Sequence, residues 1–324
     1  MTDLVIRPLV AGEEALFDSM PDPLPQLRQV SYADGLAGGG YRPEHTWIAL
    51  RAGRVVGRAA WLLPPGSVGE PWLERFDLAA EPAVGGALLR TAHAALGGPK
   101  TYYASAPAYW RRQPQVRATV EATMAAARLA GLVEGGERLR CSWTGGPLPT
   151  SADRSSSGAA PAARPSSDAA SAVRSSLLPV VAGRFSIRPA ADAAEIRSLA
   201  ARIAEPELLT GAETARMVGG VDLARDPLAR LTGPASGWRV ALDGSEPVGL
   251  AAPVGDACYP MIAYLGLLDA AARSELLVDA VAILADAGAY EVIADVDAHR
   301  VAVVAELERT GFRRLRSRVV FTPA

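Results

Sequence analysis

The chain has 324 residues, 49% hydrophobic and 21% charged, with 33 basic side chains against 35 acidic ones. That length exceeds one ordinary domain and predicts two, with ample apolar material for a core. A formal charge of −2 gives none of the basic surface that nucleic acid or an anionic membrane requires, so neither is expected as a partner.

Lys100 is the only lysine and asparagine is absent, the composition of a GC-rich bacterial genome, so alanine carries little weight as a helix signal here. The opening MTDLVIRPLVAGEEALFDSM holds acids and no long apolar run, unlike a signal peptide. No stretch approaches the roughly 18 apolar residues of a membrane span. Cys141 and Cys258 share no CxxC spacing, which fits unpaired thiols in a reducing cytoplasm. His45, His93 and His299 form no HExxH pair, and the lone lysine follows Pro99, which removes any GxxxxGK[ST] phosphate loop. No GxSxG elbow is present either.

In chain order, Val5-Ile6-Arg7-Pro8 predicts a short strand that stops at proline and gives way to helix. TWIALRAGRVVGRAAW (46–61) predicts a hairpin around a glycine-containing turn. WLERFDL (72–78) reads as a strand, ALLRTAHAAL (87–96) as a helix, and ARLAGL (127–132) as a helix end before a last strand. Residues 151–176 follow, with nine serines and Val173 as the only aliphatic side chain larger than alanine. Such a segment buries too little apolar surface to offset its ordering entropy, so residues 147–182 read as a flexible linker between units 1–146 and 183–324.

The same order then recurs. Ser186-Ile187-Arg188-Pro189 repeats the opening motif, and Asp192 and Glu195 have capping-box spacing before a helix to about residue 204. GWRVALDGSEPVGLAA (237–252) repeats the hairpin, MIAYLGLL (261–268) the strand, and SELLVDAVAILADAG (274–288) the helix. In that helix Leu277, Ala280, Val281 and Leu284 make an apolar stripe, and Gly288 suits the cap. ERTGF (308–312) closes the second copy, with Gly131 and Gly311 lying 180 residues apart. One unit is used twice.

This repeated order, β-α-(α)-β-β-β-α-β-α-β, resembles the GCN5-related N-acetyltransferase (GNAT) superfamily. The most specific stretch is EVIADVDAHRVAVVAELERTGFRRLRSRVVF near the C-terminus. The resemblance implies an α/β (α+β) fold of two tandem GNAT-like domains, each a mixed, mostly antiparallel sheet flanked by helices. It implies acetyl-CoA as co-substrate, held between the splayed fourth and fifth strands with its diphosphate at the start of the next helix. It implies transfer of an acetyl group to the amine of a small molecule or peptide, and a homodimer is compatible with it.

Carried over residue by residue, the diphosphate loop [QR]xxGx[GA] falls on Pro82 to Ala87. Gly85, Gly86 and Ala87 are the candidate cradle, next to Leu78 at the strand end. The second copy offers Leu267 and Arg273, but no glycine, and Asp269 there has the position of a helix cap. The tyrosine that usually protonates the departing thiolate is replaced by Ala127 and Leu307, and the usual asparagine by Arg300. Candidate substitutes are Tyr264, which either faces the cleft or packs in the core, and Glu74 and Asp77, which either meet a cationic amine or lie on a solvated strand face. Tyr102, Tyr103, Tyr109 and Trp110 either wall a pocket or pack. The competing expectation is a non-catalytic acyl-CoA-binding or scaffolding protein built from degenerate copies.

Overall fold

The computed structural model describes residues 4–27, 31–66, 70–148, 184–231, 233–255 and 260–324. From residue 149 onward the predicted linker lies outside them, as does Cys258.

The opening Ile-Arg-Pro motif acts alike in both copies. In β1 (Leu4–Pro8) Arg7 donates to both oxygens of Glu13, at 2.6 and 2.9 Å, and Glu13 in turn accepts from the Val10 N–H at 3.0 Å. In β7 (Ser186–Pro189) Arg188 holds Glu195 at 3.0 and 2.6 Å, and Glu195 accepts from the Ala191 N–H. The arginine therefore ties the first strand to the start of the next helix. Those helices are α1 (Glu14–Asp18) with α2 (Tyr32–Ala37) in the first copy, and α5 (Ala193–Arg202), capped by Asp192, in the second.

The hairpins follow as predicted. Strands β2 (Thr46–Arg51) and β3 (Arg54–Leu62) turn at Ala52-Gly53, both with positive φ, the conformation that matches strand twist. Strands β9 (Arg239–Asp243) and β10 (Glu246–Val254) turn at Gly244, φ +61°. Next come β4 (Trp72–Leu78), α3 (Pro82–Ala95), β5 (Tyr102–Pro107), α4 (Pro114–Leu129) and β6 (Leu132–Trp143). Their counterparts are β11 (Met261–Leu267), α7 (Arg273–Asp286), β12 (Val292–Asp297), α8 (Val301–Arg309) and β13 (Arg313–Pro323). The second copy adds α6 (Ala212–Gly219) and a two-residue strand β8 (Leu208–Leu209).

All strands join one sheet in the order β1-β2-β3-β4-β5-β13-β6-β12-β11-β10-β9-β7, with β8 beside β11. The two copies exchange their closing strands. β13 of the second lies between β5 and β6 of the first, and β6 pairs with β12 of the second. Two cores cover one face. Leu73, Phe76, Leu88, Leu89 and Met124 pack with Phe321 of the exchanged strand. Leu276, Leu277, Val281 and Leu307 pack with Cys141 and Trp143, also from an exchanged strand. Each leucine so buried stabilises by about 1.5–3 kcal/mol, and part of each core comes from the other copy.

Candidate functional site

The site geometry begins with a β-bulge. Leu73 lies opposite Trp61 and Arg75 opposite Ala60, leaving Glu74 as the extra residue of β4. In β11, Ile262 faces Pro253 and Tyr264 faces Ala252, leaving Ala263 extra. A bulge bends its strand. β4 meets β5 only at Leu73↔Tyr102, and β11 meets β12 only at Met261↔Ile293. Beyond those points each pair diverges, so each copy contains a V-shaped gap.

The second gap is filled by the chain itself. β8 pairs with β11 through Tyr264↔Leu209 and Leu265↔Leu208. The N–H groups of Glu207 and Thr210 donate to the carbonyls of Leu265 and Ala263 at 2.6 and 3.0 Å. Thr210, 2% exposed, donates its hydroxyl to the Ile262 carbonyl and accepts from the Asp295 N–H, so it stitches β11 to β12. The cation predicted at the helix start is engaged as well: Arg273 donates to both oxygens of Glu207, each at 2.6 Å. Tyr264 is 0% exposed and packs against Trp238; burial pushes its phenol up to about 12, which keeps it protonated. Leu267 lies against the strand at Gly249. Backbone and leucine thus occupy the space an acyl arm would need.

The first gap has no such plug. Among the described residues, no backbone group bonds the β5-facing edge of β4 beyond Leu73. The opening is narrow, about 30 Å³, which is room for roughly one or two waters. Glu74, Asp77, Tyr103 and Ser105 line it, and Leu24 and Leu27 cover it. The two predicted carboxylates differ in freedom. Asp77, 4% exposed, accepts from Arg58 Nε at 2.8 Å, and Arg58 also donates to the carbonyls of Phe17 and Met20, so Asp77 anchors α1. Glu74 is only half-buried and accepts from Trp72 Nε1 at 3.1 Å. Burial pushes the Tyr103 phenol up to about 12, with Glu213 acting in the same sense.

The glycine pair serves packing. Gly85 and Gly86 are the fourth and fifth residues of α3, facing α4. A Cβ at Gly85 would lie 2.8 Å from Ala126 Cβ and 3.0 Å from both Leu78 and Phe76; at Gly86 it would lie 2.8 Å from Leu129 Cβ. The helix start is also poor in donors. Pro82 has no N–H, the Val84 N–H bonds the Glu81 carbonyl, and the Glu81 carboxylate sits at the cap, paired with Arg51 at 2.5 Å. Among the described residues the β4 edge beyond Leu73 is free of backbone partners, but the opening under Leu24 and Leu27 is no larger than a water or two, and the α3 start departs from a diphosphate cradle. Ala87 is the next residue along the helix, half-buried.

Other candidates are dispersed. Ala127 and Leu307 are buried in the cores, and Arg300 pairs with Glu205. His299 is exposed. Tyr102 stacks on Phe321, Trp110 is buried, and Tyr109 is exposed between Arg112 and Arg314. A cavity of about 370 Å³ opens beside them, roofed by Val301 and Val304 of α8.

A second feature lies outside the sequence motifs: Arg138 and Arg140 of β6 stand directly opposite Arg318 and Arg316 of β13. Its signal is the alternation Arg138-Leu139-Arg140 in β6 and Arg316-Ser317-Arg318 in β13, which puts these four arginines on one face, while the bulge before Arg316 leaves Arg314 opposite core-facing Cys141. Among the described residues no cluster suited to a metal ion occurs, and no helix is long and apolar enough to cross a membrane.

No family model matches the chain, and no curated protein matches it either. Among solved structures it is similar to a GCN5-related N-acetyltransferase from Sphaerobacter thermophilus. That match has a TM-score of 0.54 at 11% identity and covers 98% of this chain and 94% of that one. A tandem GNAT protein from the clavulanic acid biosynthesis pathway matches at TM-score 0.39 and 13% identity, covering 98% of each chain. The fold is therefore that of the GNAT acetyltransferases: a large, mostly antiparallel sheet flanked by helices.

Proposed function

We propose that this chain is a cytoplasmic, acyl-CoA-dependent N-acetyltransferase whose working cleft is the gap between β4 and β5, acting on the amine of a small molecule or peptide. The observation that carries the reading is the contrast between the gaps: among the described residues no backbone group bonds the β4 edge beyond Leu73, whereas β8 occupies the β11 edge. In this reading units 1–146 and 183–324, joined by residues 147–182, function as one body because their closing strands are exchanged. An acyl arm lies along β4, with Leu78 and the start of α3 at its far end. Glu74 faces the incoming amine, and Asp77 positions the cleft through Arg58. The amine nitrogen bonds to the acyl carbon, the carbon–sulfur bond breaks, and the proton shed by nitrogen ends on sulfur. Tyr264, Leu267 and Arg273 belong to the closed gap and take no part.

The test uses the full chain, because each unit lacks its own closing strand. Acetyl-CoA is titrated calorimetrically, and thiol release is followed with a panel of amines. Ser105→Phe, which fills the first gap, is expected to abolish binding, and Arg273→Ala to leave it unchanged. Loss of binding in Arg273→Ala alone would move the site to the second copy and overturn the reading. A second reading is favoured by Glu81 at the α3 cap and by the glycines spent on packing: a non-catalytic acyl-CoA-binding or scaffolding protein. Binding without thiol release for any amine would establish the binding form, and no binding at all the scaffold.

A further inference from the structure

The face of the sheet opposite α4 and α8 carries four arginines where the exchanged strands meet. Arg316 lies directly opposite Arg140, and Arg318 opposite Arg138. Like charges in direct cross-strand register are destabilising, so counter-charges are to be expected. Arg140 has one: both its donors reach Asp295, each at 2.8 Å. Arg138 lies 3.2 Å from Glu213 and 3.5 Å from Asp297. Arg318 is 3.7 Å from the same Glu213.

Arg316 has no carboxylate within ion-pair distance among the described residues, and its buried Nε donates to none of them; the Nε of Arg318 is in the same condition. Burial, with Arg318 and Arg140 alongside, pushes the Arg316 guanidinium down to about 10, and Glu74 is one of two acids acting against that trend. Of the three arginines lining the larger cavity, Arg111 and Arg314 are already paired with Glu137 and Glu308, and Arg112 lies over the exposed Tyr109 ring.

This surplus cation borders the proposed cleft. Ser105, which lines the gap with Glu74, stands directly opposite Arg318, and Pro107 opposite Arg316. On the reading that the first gap is the working cleft, we infer that its acceptor is an amine that also bears a carboxylate, with the nitrogen towards Glu74 and the carboxylate on Arg316 and Arg318. A guanidinium fork matches a carboxylate in shape and charge. Four guanidinium groups here face the three carboxylates of Glu213, Asp295 and Asp297, with Glu74 across the gap. A zwitterion leaves that balance unchanged, whereas a doubly charged phosphate would overfill it.

The experiment titrates the full chain calorimetrically with the common α-amino acids, β-alanine and γ-aminobutyrate, and with the decarboxylated amine of each that binds. It uses the wild type and Arg316→Met, and records thermal melts of both. At least one amino acid is expected to bind, with its decarboxylated amine about 10- to 100-fold weaker, the loss of a charged hydrogen-bond pair. Arg316→Met is expected to weaken the amino acid similarly, leave the amine unchanged, and melt no lower than wild type, since it removes an unpaired cation. Absence of binding by every amino acid, equal binding of amine and amino acid, or a lowered melt with unchanged affinity would each overturn the inference. Binding that depends on Arg316 without thiol release from acetyl-CoA would refute the transferase reading and leave this one standing. Thiol release with carboxylate-free amines, indifferent to Arg316→Met, would do the reverse.

Discussion

The two gaps in the sheet start from the same geometry and end differently. Both arise from a bulge in the fourth strand of a copy, and both strands then diverge from their parallel neighbour. In the second copy a two-residue strand has entered, satisfied the exposed backbone and brought a glutamate to the one cation at the helix start. In the first copy no described backbone group bonds that edge beyond Leu73, and the lining mixes Glu74, Asp77 and Ser105 with Leu24, Leu27 and Phe76. An unpaired strand edge invites either a ligand or another piece of chain, and this molecule contains one example of each condition.

The largest expected effect tests how firmly the closed gap is stitched. Asp295→Ala removes a buried carboxylate that accepts twice from half-buried Arg140 and should cost about 3–5 kcal/mol in denaturant unfolding. Burial alone would raise this carboxyl, but the hydrogen bonds from Arg140, with Arg138 and Arg318 nearby, hold it below its usual value. A depressed carboxylate stabilises the fold above its unfolded pKa. That contribution is therefore lost as pH falls below about 4, and the variant should lose less stability there than the wild type.

Next is a difference between the helices that border the gaps. Aligning Leu88-Leu89 with Leu276-Leu277 sets His93 of α3 against Val281 of α7. His93 is 3% exposed, with neither ring nitrogen hydrogen-bonded among the described residues, and burial, helped by Lys100, lowers it from 6.5 to about 4. The unfolded chain takes up a proton below 6.5 that the folded state refuses until about 4. Stability should fall across that window by up to about 3 kcal/mol. His93→Val should flatten the profile there, as read from urea midpoints at stepped pH.

Thr210→Val should cost about 1–3 kcal/mol, because the Asp295 N–H loses its acceptor in a buried site. Hydrogen exchange at the Glu207 and Thr210 amides should speed up with it; unchanged exchange would mean that β8 is held by leucine packing alone. The smallest effect belongs to the open gap. Glu81→Gln removes a negative charge from the start of α3 and should tighten acetyl-CoA binding by about two- to fivefold, measured by calorimetry at low salt.

Much of each copy was readable in advance. The Ile-Arg-Pro openings, the glycine turns, the Asp192 cap and the Leu277-Ala280-Val281-Leu284 stripe are local signals, and each is realised as a local structure. The strand exchange was not readable. Period-two alternation in β6 and β13 specifies which side chains face the core, and that pattern is satisfied equally by a partner from either copy. β8 escaped because two leucines are too short a run to carry a period. Gly85 and Gly86 misled because a glycine needed for helix contact and one needed for a phosphate look alike in one dimension. The arginine ladder was visible as alternation, yet its meaning depends on two strands more than 150 residues apart in sequence becoming neighbours.

The exchange also sets a timetable for folding. Synthesis runs from the N-terminus, and β5 and β6 emerge from the ribosome long before β13, which must lie between them. Until Arg313–Pro323 appear, the first unit presents two bare strand edges and an incomplete core missing Phe321. The strand that carries Arg316 and Arg318 is made after every other described strand of the sheet. A chain stopped short of Arg313 therefore loses the finish of the first cleft rather than the tail of the second.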